Sequence, residues 1–460
     1  MVWRETRRRL DIWQFPFQYF VSLLYESLML RCEWLQQHQK MARMKTINDL
    51  PDEILVEIFS YLTVEDLATR VRKVCSRWEE VAKENKLWRN LTYTPSNKTS
   101  LDQIIEVLKG APKLQMFIPE GEYINGQLLK AVVTYCKDIR SLKIRVNKAD
   151  NILVLIVVFF CRSIEDLSIE TEDFVSTKYL LMVSLCPKLR HLKLSGQTVD
   201  NNDSLFSDIL NGFPSLRRLD ISNLHYKHND LKCFLKHNKN KLHYLCVNCC
   251  PPAQSCLLPV LAKYCTVLEI LHVFGHRGIS SSAEFSCFKN MQHLKDLSVI
   301  DFQCNNIYGA IDYFESGVVH NLHSLKLSNF GTIDKRLTNA IFTKCLNLKD
   351  LNLGKNDSLT DDCLQFIGNL IYLEYLYLCG CNALTTKGVS YIFKCSRLKY
   401  VNLNKCKNIT RESLEALCIN LKRKRFYVAS SIGAALHCGT WPPKVLSSTS
   451  IGLVITYSKF

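Results

Sequence analysis

Recognised catalytic signatures are missing from this 460-residue sequence. It has no phosphate-binding P-loop, no G-x-S-x-G nucleophile elbow and no H-E-x-x-H zinc-protease motif. Isolated histidines such as His191 and His272 fall in strand-like positions, where a partner contact or solvent exposure is the simpler interpretation than general-base catalysis. We therefore expect a chain with no catalytic residue, no enzymatic activity and no cofactor.

A hydrophobic run long enough to cross a membrane is also missing. The most apolar stretch, residues 152–161, falls short of the roughly 20 residues that a spanning helix needs. Near the start, Pro16, Gln18 and Glu26 interrupt the aromatic and leucine-rich segment, so it makes a poor secretory signal. We expect no membrane partner, a reducing compartment (cytoplasm, nucleus or both) and free thiols for the 21 cysteines.

A zinc site is the alternative interpretation of one cysteine group. Cys246, Cys249, Cys250 and Cys256, with His243 nearby, include the C-x-x-C spacing that zinc sites use. However, no second C-x-x-C follows at finger spacing, and Cys246 falls inside a strand-like phrase. We interpret these residues as ordinary thiols and expect no metal.

The dominant positive feature is a repeated apolar phrase of the form L-x-x-L-x-L. It occurs eleven times between Ile139 and Leu403, at intervals of 25 to 28 residues, and a weaker unit at Leu114 and Phe117 precedes it. A period of 20–29 residues with this phrase is the leucine-rich-repeat pattern. It predicts an α/β solenoid with parallel strands on a concave face and helices outside, in which each repeat buries its apolar side against its neighbours.

Cysteines recur at fixed places in this pattern. Six of them lie three residues before the first apolar position of a phrase: Cys136, Cys161, Cys186, Cys265, Cys345 and Cys395. Cys381 and Cys406 share a second slot, three residues after the phrase. Recurrence of this kind predicts burial as a small apolar side chain. The phrase with its trailing cysteine resembles the cysteine-containing subclass of leucine-rich repeats.

A different pattern occupies residues 47–95. Pro51 is followed by Asp52 and Glu53, and these acidic residues suit the first turn of a helix. Thr63 and Asp66 form an approximate capping box at the start of a second helix. These short helices carry more large apolar side chains than so small a unit can hide, which indicates a partner-binding face.

The run from Leu50 to Trp88 resembles the F-box, and an F-box followed by cysteine-type leucine-rich repeats resembles the F-box/LRR family of substrate receptors. In that family the F-box binds the Skp adaptor, and through it a cullin and a RING subunit, while the repeats hold a protein substrate for ubiquitination. The resemblance implies adaptor contacts at Leu50, Pro51, Ile54, Leu55, Ile58, Phe59, Val74, Trp78 and Trp88. Some of these residues must instead form the core of the F-box.

Strand alternation assigns the residues between the apolar positions to the concave face. On this basis the candidate substrate-binding residues are Tyr244, His272, Phe274, Tyr375, Tyr377, Tyr400 and Asn402. Three tyrosines, Tyr375, Tyr377 and Tyr400, should form one patch because neighbouring strands stack in register. Aromatic side chains are common at interface hot spots, although tyrosines also suit strand surfaces for purely structural reasons.

The formal net charge of +16 leaves other functions open. The excess of basic residues lies outside residues 47–95, so the repeats could attract an acidic or phosphorylated partner, or the charges could simply be solvated. The alternatives to a ligase receptor are a protein-binding scaffold outside a ligase and a nucleic-acid binder. Only the charge favours the last, and nucleic acid is not an expected partner. The cluster Lys422-Arg423-Lys424-Arg425 is either a nuclear signal or a charged end to the repeats.

The predicted domain order is therefore an extension at 1–46, an F-box at 47–95, a solenoid at 96–428 and an irregular tail at 429–460. The tail is rich in Ser, Gly and Pro and lacks the repeat phrase, with one possible strand at residues 453–457.

Overall fold

A computed structural model of the chain describes residues 47–119, 126–146, 156, 160, 162–174, 183, 186–197, 213–223, 228–248, 257–275, 282–302, 304, 306–410, 412–413, 426–429 and 436–438. The chain forms two compact units, one of residues 1–173 and 178–189 and the other of residues 174–177 and 190–460. Each unit is described by itself below.

The first unit begins with short helices. They are α1 (Asp52–Phe59), α2 (Val64–Thr69), α3 (Ser76–Ala82) and α4 (Asn85–Trp88), with 3-10 turns at Ile47–Asp49 and Val71–Lys73. The capping expected for α2 is present, because the Thr63 hydroxyl accepts from the Asp66 N–H at 3.2 Å and donates to its Oδ2 at 2.8 Å. Leu55, Ile58 and Phe59 bury one face of α1.

Parallel strands follow these helices in the same unit. The elements are β1 (Thr92–Tyr93), α5 (Leu101–Gly110), β2 (Met116–Phe117), α6 (Gly126–Tyr135), β3 (Ser141–Val146) and β4 (Asp166–Phe174). The pairs β1–β2, β2–β3 and β3–β4 are all parallel. Strand β1 lies inside the range predicted for the F-box, so that range includes the first strand of the sheet.

Helix α5 packs closely on α2. A Cβ added at Gly110 would lie only 2.2 Å from the carbonyl oxygen of Ala68, so no larger residue fits at this position without movement of the backbone. Lys73 and Glu106 form an exposed ion pair of 3.1 Å across the same junction. The helices before β1 and the first repeat helix therefore share one packed interface.

The second unit continues the strand–helix alternation. Its elements are β5 (His191–Gln197), β6 (Arg218–Asn223), α7 (His228–His237), β7 (Tyr244–Asn248), α8 (Leu257–Tyr264), β8 (Ile270–Phe274), β9 (Asp296–Ile300), α9 (Tyr308–Glu315), β10 (Ser324–Lys326), α10 (Lys335–Lys344), β11 (Asp350–Asn352), β12 (Tyr375–Tyr377), α11 (Thr386–Ile392), β13 (Tyr400–Asn402), β14 (Phe426–Ala429) and β15 (Leu436–Cys438). Pairing from β5 to β14 is parallel in chain order, and β15 pairs antiparallel with β14.

The repeated leucines explain this order. The central phrase residues Leu297, Leu325, Leu351, Leu376 and Val401 are register partners on consecutive strands and are fully buried. Because each strand covers the leucine of its neighbour, the buried leucines of successive repeats form one continuous apolar core. The fold is a leucine-rich-repeat solenoid with parallel strands, preceded by a small helical region, as the sequence predicts.

The slot three residues after each phrase ties successive repeats together. Asn356 holds it in one repeat and donates from Nδ2 to the carbonyl of Leu327 in the preceding repeat at 2.8 Å. In the next two repeats the thiols of Cys381 and Cys406 donate to Leu353 O at 3.2 Å and Leu378 O at 3.1 Å. These cysteines are buried and free, as expected, and they also act as inter-repeat donors.

The slot two residues after the phrase bends the chain away from the sheet. Asp301, Asn329, Lys355, Gly380 and Lys405 occupy it in five successive repeats, and every one has a positive φ between 48° and 74°. This left-handed conformation costs little for glycine and more for other residues. Asn329 and Asp301 tolerate it better than most residues, so the cost is largest at Lys355 and Lys405.

Several details differ from the sequence predictions. The apolar spacing of Leu364, Phe366, Ile367 and Leu370 suggests a helix, but two short 3-10 helices form there, at Asp361–Leu364 and Ile367–Asn369. Strand β15 falls in the predicted irregular tail. Among the described residues no helix combines the length and apolarity that a bilayer crossing requires.

Other predictions lie outside the described residues. These are the 1–46 extension, Cys161, Cys249, Cys250, Cys256, the basic cluster at 422–425 and the possible strand at 453–457. Cys246 lies buried on β7, and burial raises the pKa of its thiol to about 12.

Candidate binding surfaces

The nine residues expected to contact an adaptor separate into an interior and an exterior group. Leu50, Leu55, Ile58, Phe59, Trp78 and Trp88 are buried within the first unit. Pro51 and Val74 are exposed, and Ile54 is half-buried. Since a buried side chain cannot meet a partner without rearrangement, the interior six serve first as the core of the small domain. Adaptor contact stays a prediction for the whole set.

The tryptophans show why the interior group is needed. Trp78 packs edge-on against Phe59, with ring centroids 5.1 Å apart, and its indole N–H donates to Asn48 Oδ1 at 2.9 Å. Trp88 donates from its indole to the buried carbonyl of Ala82 at 2.8 Å. Each ring therefore fills the core and also satisfies its polar edge, as buried tryptophans usually do.

Arg77 fastens the start of this domain to α3. Its guanidinium donates to Asp52 Oδ1 at 2.7 and 2.9 Å and also bonds the backbone carbonyls of Asn48 and Leu50. The segment that carries Leu50 and Pro51 is thereby held in one position before α1. Sequence reasoning did not identify Arg77, because an isolated arginine gives no sign of its partners.

The exterior of the domain carries apolar side chains. Tyr61, which sequence reasoning also missed, is 52% exposed, and Val74 is 36% exposed. Ile54 lies on α1, and Tyr61 lies two residues beyond the last residue of that helix, Phe59. Val56 is half-buried on the opposite flank of α1. The apolar exterior around Ile54 is what a docking face requires.

The second unit carries the residues expected to bind a substrate. Tyr244, His272, Phe274, Tyr375, Tyr377, Tyr400 and Asn402 are all partly exposed, and each is adjacent to at least one buried apolar residue of its strand, as the alternation predicts. Their contact with a substrate stays a prediction. They form two groups separated by strands β9 to β11.

The first group lies on β6 to β8. The Arg218 guanidinium carbon lies 4.9 Å from the centroid of the Tyr244 ring, and the Tyr244 and His272 rings are 5.7 Å apart. Burial is the main cause that raises the pKa of the Tyr244 hydroxyl, so it remains protonated at neutral pH. The group offers ring faces with a neutral hydroxyl.

The second group is the tyrosine patch, defined as Tyr375, Tyr377 and Tyr400. The strand register sets Tyr375 beside Tyr400 and Tyr377 beside Asn402, and the Tyr377 and Tyr400 rings are 5.2 Å apart. The predicted adjacency of the three tyrosines is confirmed. Asn402 has a local task as well, because its Oδ1 accepts the N–H of Asn404 at 3.0 Å and closes the turn after β13.

Between the two groups lies a polar cluster that sequence reasoning did not single out. It consists of Asp296, Ser324 and Asp350, which are register partners on β9, β10 and β11, together with Lys326. The signal was available, since the same alternation that identified the tyrosines assigns these residues to the same face.

The two carboxyl groups of this polar cluster have different environments. Burial is the largest influence on Asp350 and, with the negative charge of Asp296, raises its pKa to about 6 despite the opposing charge of Lys326. Burial also acts to raise the pKa of Asp296, but His272 and Lys326 outweigh it and hold that pKa below its ordinary value. His272 Nε2 lies 3.3 Å from Asp296 Oδ1, close enough for an ion pair but not aligned for a hydrogen bond.

Comparison with known proteins identifies the helical part of the first unit. Residues 47–94 match the F-box-like family model. F-box/LRR-repeat protein 12 from Mus musculus is 47% identical over 51 residues, which are 11% of this chain and 15% of that protein. The F-box protein SKIP19 from Arabidopsis thaliana is 27% identical over 172 residues, 36% of this chain and 51% of that protein. The matches therefore span only part of these relatives.

Solved structures resemble the chain distantly. In the yeast Rad7 and Elc1 complex, one chain has 15% sequence identity and a TM-score of 0.41, with 90% of this chain and 86% of that chain covered. An internalin from Listeria monocytogenes has 13% identity and a TM-score of 0.38, with 85% of this chain and all of that chain covered.

Proposed function

We propose that this chain, an F-box-like domain followed by leucine-rich repeats, is the substrate-recognition subunit of a Skp–cullin–F-box ubiquitin ligase. The observation that carries the proposal is the F-box-like match over residues 47–94, directly ahead of the repeat strands. The F-box would bind a Skp-type adaptor, and the repeats would hold a target protein. The chain itself would contribute no catalytic group.

Proximity is the mechanism of such a receptor. A substrate held on the repeats and an adaptor held on the F-box become parts of one assembly, so an acceptor lysine meets the conjugating machinery at a raised effective concentration. Support for the adaptor side comes from the apolar exterior around Ile54, Tyr61 and Val74. Support for the substrate side comes from the aromatic strand positions of the second unit.

Co-expression of the full chain with a Skp-type adaptor tests the first half of the proposal. We expect the two proteins to co-purify, and we expect Ile54→Glu to weaken the association at least tenfold because it sets an unpaired charge in an apolar contact. The association would be measured by pull-down and by isothermal titration calorimetry.

Val56→Glu is the matched control for this substitution. It makes the same chemical change at a half-buried residue of the same helix, on the flank away from Ile54. Retained adaptor binding by Val56→Glu and loss by Ile54→Glu would support docking on the Ile54 side. Failure of the folded wild-type chain to bind any Skp-type adaptor would leave the alternative, a repeat scaffold that acts outside a ligase.

A further inference from the structure

The polar cluster on β9 to β11 contains two acidic residues, whereas the chain as a whole is basic. The chain has a formal net charge of +16, yet the centre of this face presents two carboxyl groups, Asp296 and Asp350, on either side of Ser324. Neighbouring strands are about 4.8 Å apart, so the two aspartates are about 10 Å apart at their Cα atoms. Their side chains thus border one small area between adjacent repeats.

Three polar atoms in this area meet no hydrogen-bond geometry among the described residues, although His272 lies within ion-pair distance of one of them, Asp296 Oδ1. Asp296 Oδ1, Ser324 Oγ and Asp350 Oδ1 are buried and make no hydrogen bond within the described part of the chain. Ser298, two residues after Asp296 on β9, is only 2% exposed. Leaving a buried polar group unpaired costs about 1–3 kcal/mol. Several such groups on one face, most of them acceptors, indicate a surface shaped for a donor-rich ligand.

The nearby lysine does not satisfy these acceptors. Lys326 lies on β10 between the two aspartates and influences both of their pKa values, but it forms no ion pair within 4.0 Å among the described residues. It lowers the repulsion between the two carboxylates without forming an ion pair with either of them. An additional cation with several directed donors would find acceptors on two sides.

Aromatic rings adjoin the same area. Asp350 is the register partner of Tyr375, and the charge of Asp350 acts on the Tyr377 hydroxyl, which places the tyrosine patch at the edge of the polar cluster. A guanidinium group can donate to carboxylates in its plane and stack its face on an aromatic ring, whereas an ammonium group is a compact and strongly hydrated point charge.

We propose that the polar cluster and the tyrosine patch together bind an arginine side chain of a protein partner. The guanidinium would donate to Asp296 and Asp350, and its face would lie against the ring of Tyr375 or Tyr377. This inference rests on the proposed function, because it assigns a substrate class, a segment with an accessible arginine, to the repeat face of the receptor.

Fluorescence anisotropy of the full-length chain with a fluorescein-labelled nona-arginine peptide tests this proposal. A polycation is repelled by the net positive chain as a whole, so binding requires a local acidic site. We expect binding of nona-arginine, at least fivefold weaker binding of nona-lysine and none of nona-citrulline, which keeps the shape without the charge. Asp350→Asn and Asp296→Asn should each weaken nona-arginine binding about tenfold.

Asp357→Asn is the matched control. Asp357 is an exposed acid of the same repeat, beyond the end of β11, and its only described contact is with Asn382. The control variant should bind nona-arginine within twofold of the wild type. Binding should also weaken as the pH falls below 6, because a cation needs the charged form of Asp350, which Asp296, Lys326 and Tyr377 face.

Unchanged binding by both aspartate variants, or equal affinity for nona-lysine and nona-arginine, would overturn the proposal. The adaptor experiment is independent of these results. If the adaptor binds and nona-arginine does not, the arginine site fails while the receptor function stands. If nona-arginine binds and no adaptor does, the receptor function fails and the site remains.

Discussion

At the scale of single residues, Asp350 shows how a proposed binding site can oppose stability. Its carboxyl group is buried beside Asp296 and has an unpaired Oδ1. Groups of this kind are retained where a ligand uses them, since the folded chain alone gains nothing from an uncompensated buried charge. The polar cluster and the tyrosine patch therefore differ in their energetic role, because the tyrosines contribute packing in the absence of a ligand.

The stability of Asp350→Asn should depend on pH in a defined direction. The folded-state pKa of about 6 lies above the ordinary value of 3.8, so the wild-type carboxyl group destabilises the fold increasingly from pH 4 to pH 6 and constantly above that. We expect the variant to gain up to about 3 kcal/mol in unfolding free energy at pH 7.5. Near pH 3.5, where the group is protonated in the folded state and mostly protonated in the unfolded state, the gain should nearly vanish.

Urea unfolding followed by circular dichroism at the two pH values measures this difference. Asp357→Asn should show no comparable gain at either pH, because Asp357 is exposed. An equal gain for Asp350→Asn at pH 3.5 and pH 7.5 would mean that desolvation of the carboxylate is not its cause.

At the scale of elements, the turn after the strand adopts the same left-handed backbone conformation in five successive repeats. The five residues in that slot all adopt positive φ, and Gly380 is the best suited to it. The slot also makes inter-repeat bonds, since the Gly380 N–H donates to Asn404 O at 2.7 Å and the Asn329 N–H donates to Gly354 O at 2.9 Å. The conformation is thus imposed by the stacking of repeats and overrides the preference of the individual residue.

Two substitutions in this slot should have opposite effects. Gly380→Ala should lower the unfolding free energy by about 1–2 kcal/mol, because its φ of +74° is unfavourable for a Cβ although no atom lies closer than 3.7 Å to that Cβ. Lys355→Gly, at a φ of +58°, should raise it by up to about 1 kcal/mol. Thermal unfolding of both variants checks the pair, and equal signs would contradict this explanation.

The repeat phrase predicted the strands well because it encodes burial directly. A leucine between two outward-facing residues indicates both the strand and the face that it buries. The adjacency of Tyr375, Tyr377 and Tyr400 could therefore be predicted from the sequence. The division of the nine predicted adaptor-contact residues into buried and exposed groups could not be predicted from the sequence. Whether Trp78 or Ile54 faces inward depends on where Asn48 and Phe59 lie, and helical spacing alone does not determine that. The 3-10 helices near Phe366 could not be predicted either, because the spacing of apolar residues there fits both an α-helix and a 3-10 helix.

At the scale of the whole molecule, the proposed receptor has two surfaces whose loss should be separable. The F-box surface lies in the first unit and the aromatic strand surface in the second, and no described residue serves both. A receptor of this kind needs both surfaces in one chain for ubiquitin transfer, while each can bind its own partner alone.

Tyr377→Ala should therefore weaken substrate capture without affecting adaptor binding. We expect a loss of about tenfold, typical of an aromatic hot-spot residue, in affinity capture of substrate from cells treated with a proteasome inhibitor. Tyr308→Ala is the control, because Tyr308 is an exposed tyrosine on helix α9 whose ring lies 5.3 Å from the Arg336 guanidinium. Equal capture by the wild type and Tyr377→Ala would make the tyrosine patch a structural feature.

The placement of β1 has a practical result for anyone who divides this chain. Thr92 and Tyr93 finish the helical region and at once supply the outermost strand, paired with Met116 and Phe117. A fragment cut at residue 95 would carry an orphaned strand, and the remaining piece would start with a bare β2 edge that invites aggregation. Neither fragment is therefore structurally independent. Transferring this F-box to another repeat protein would require β1 to be transferred with it.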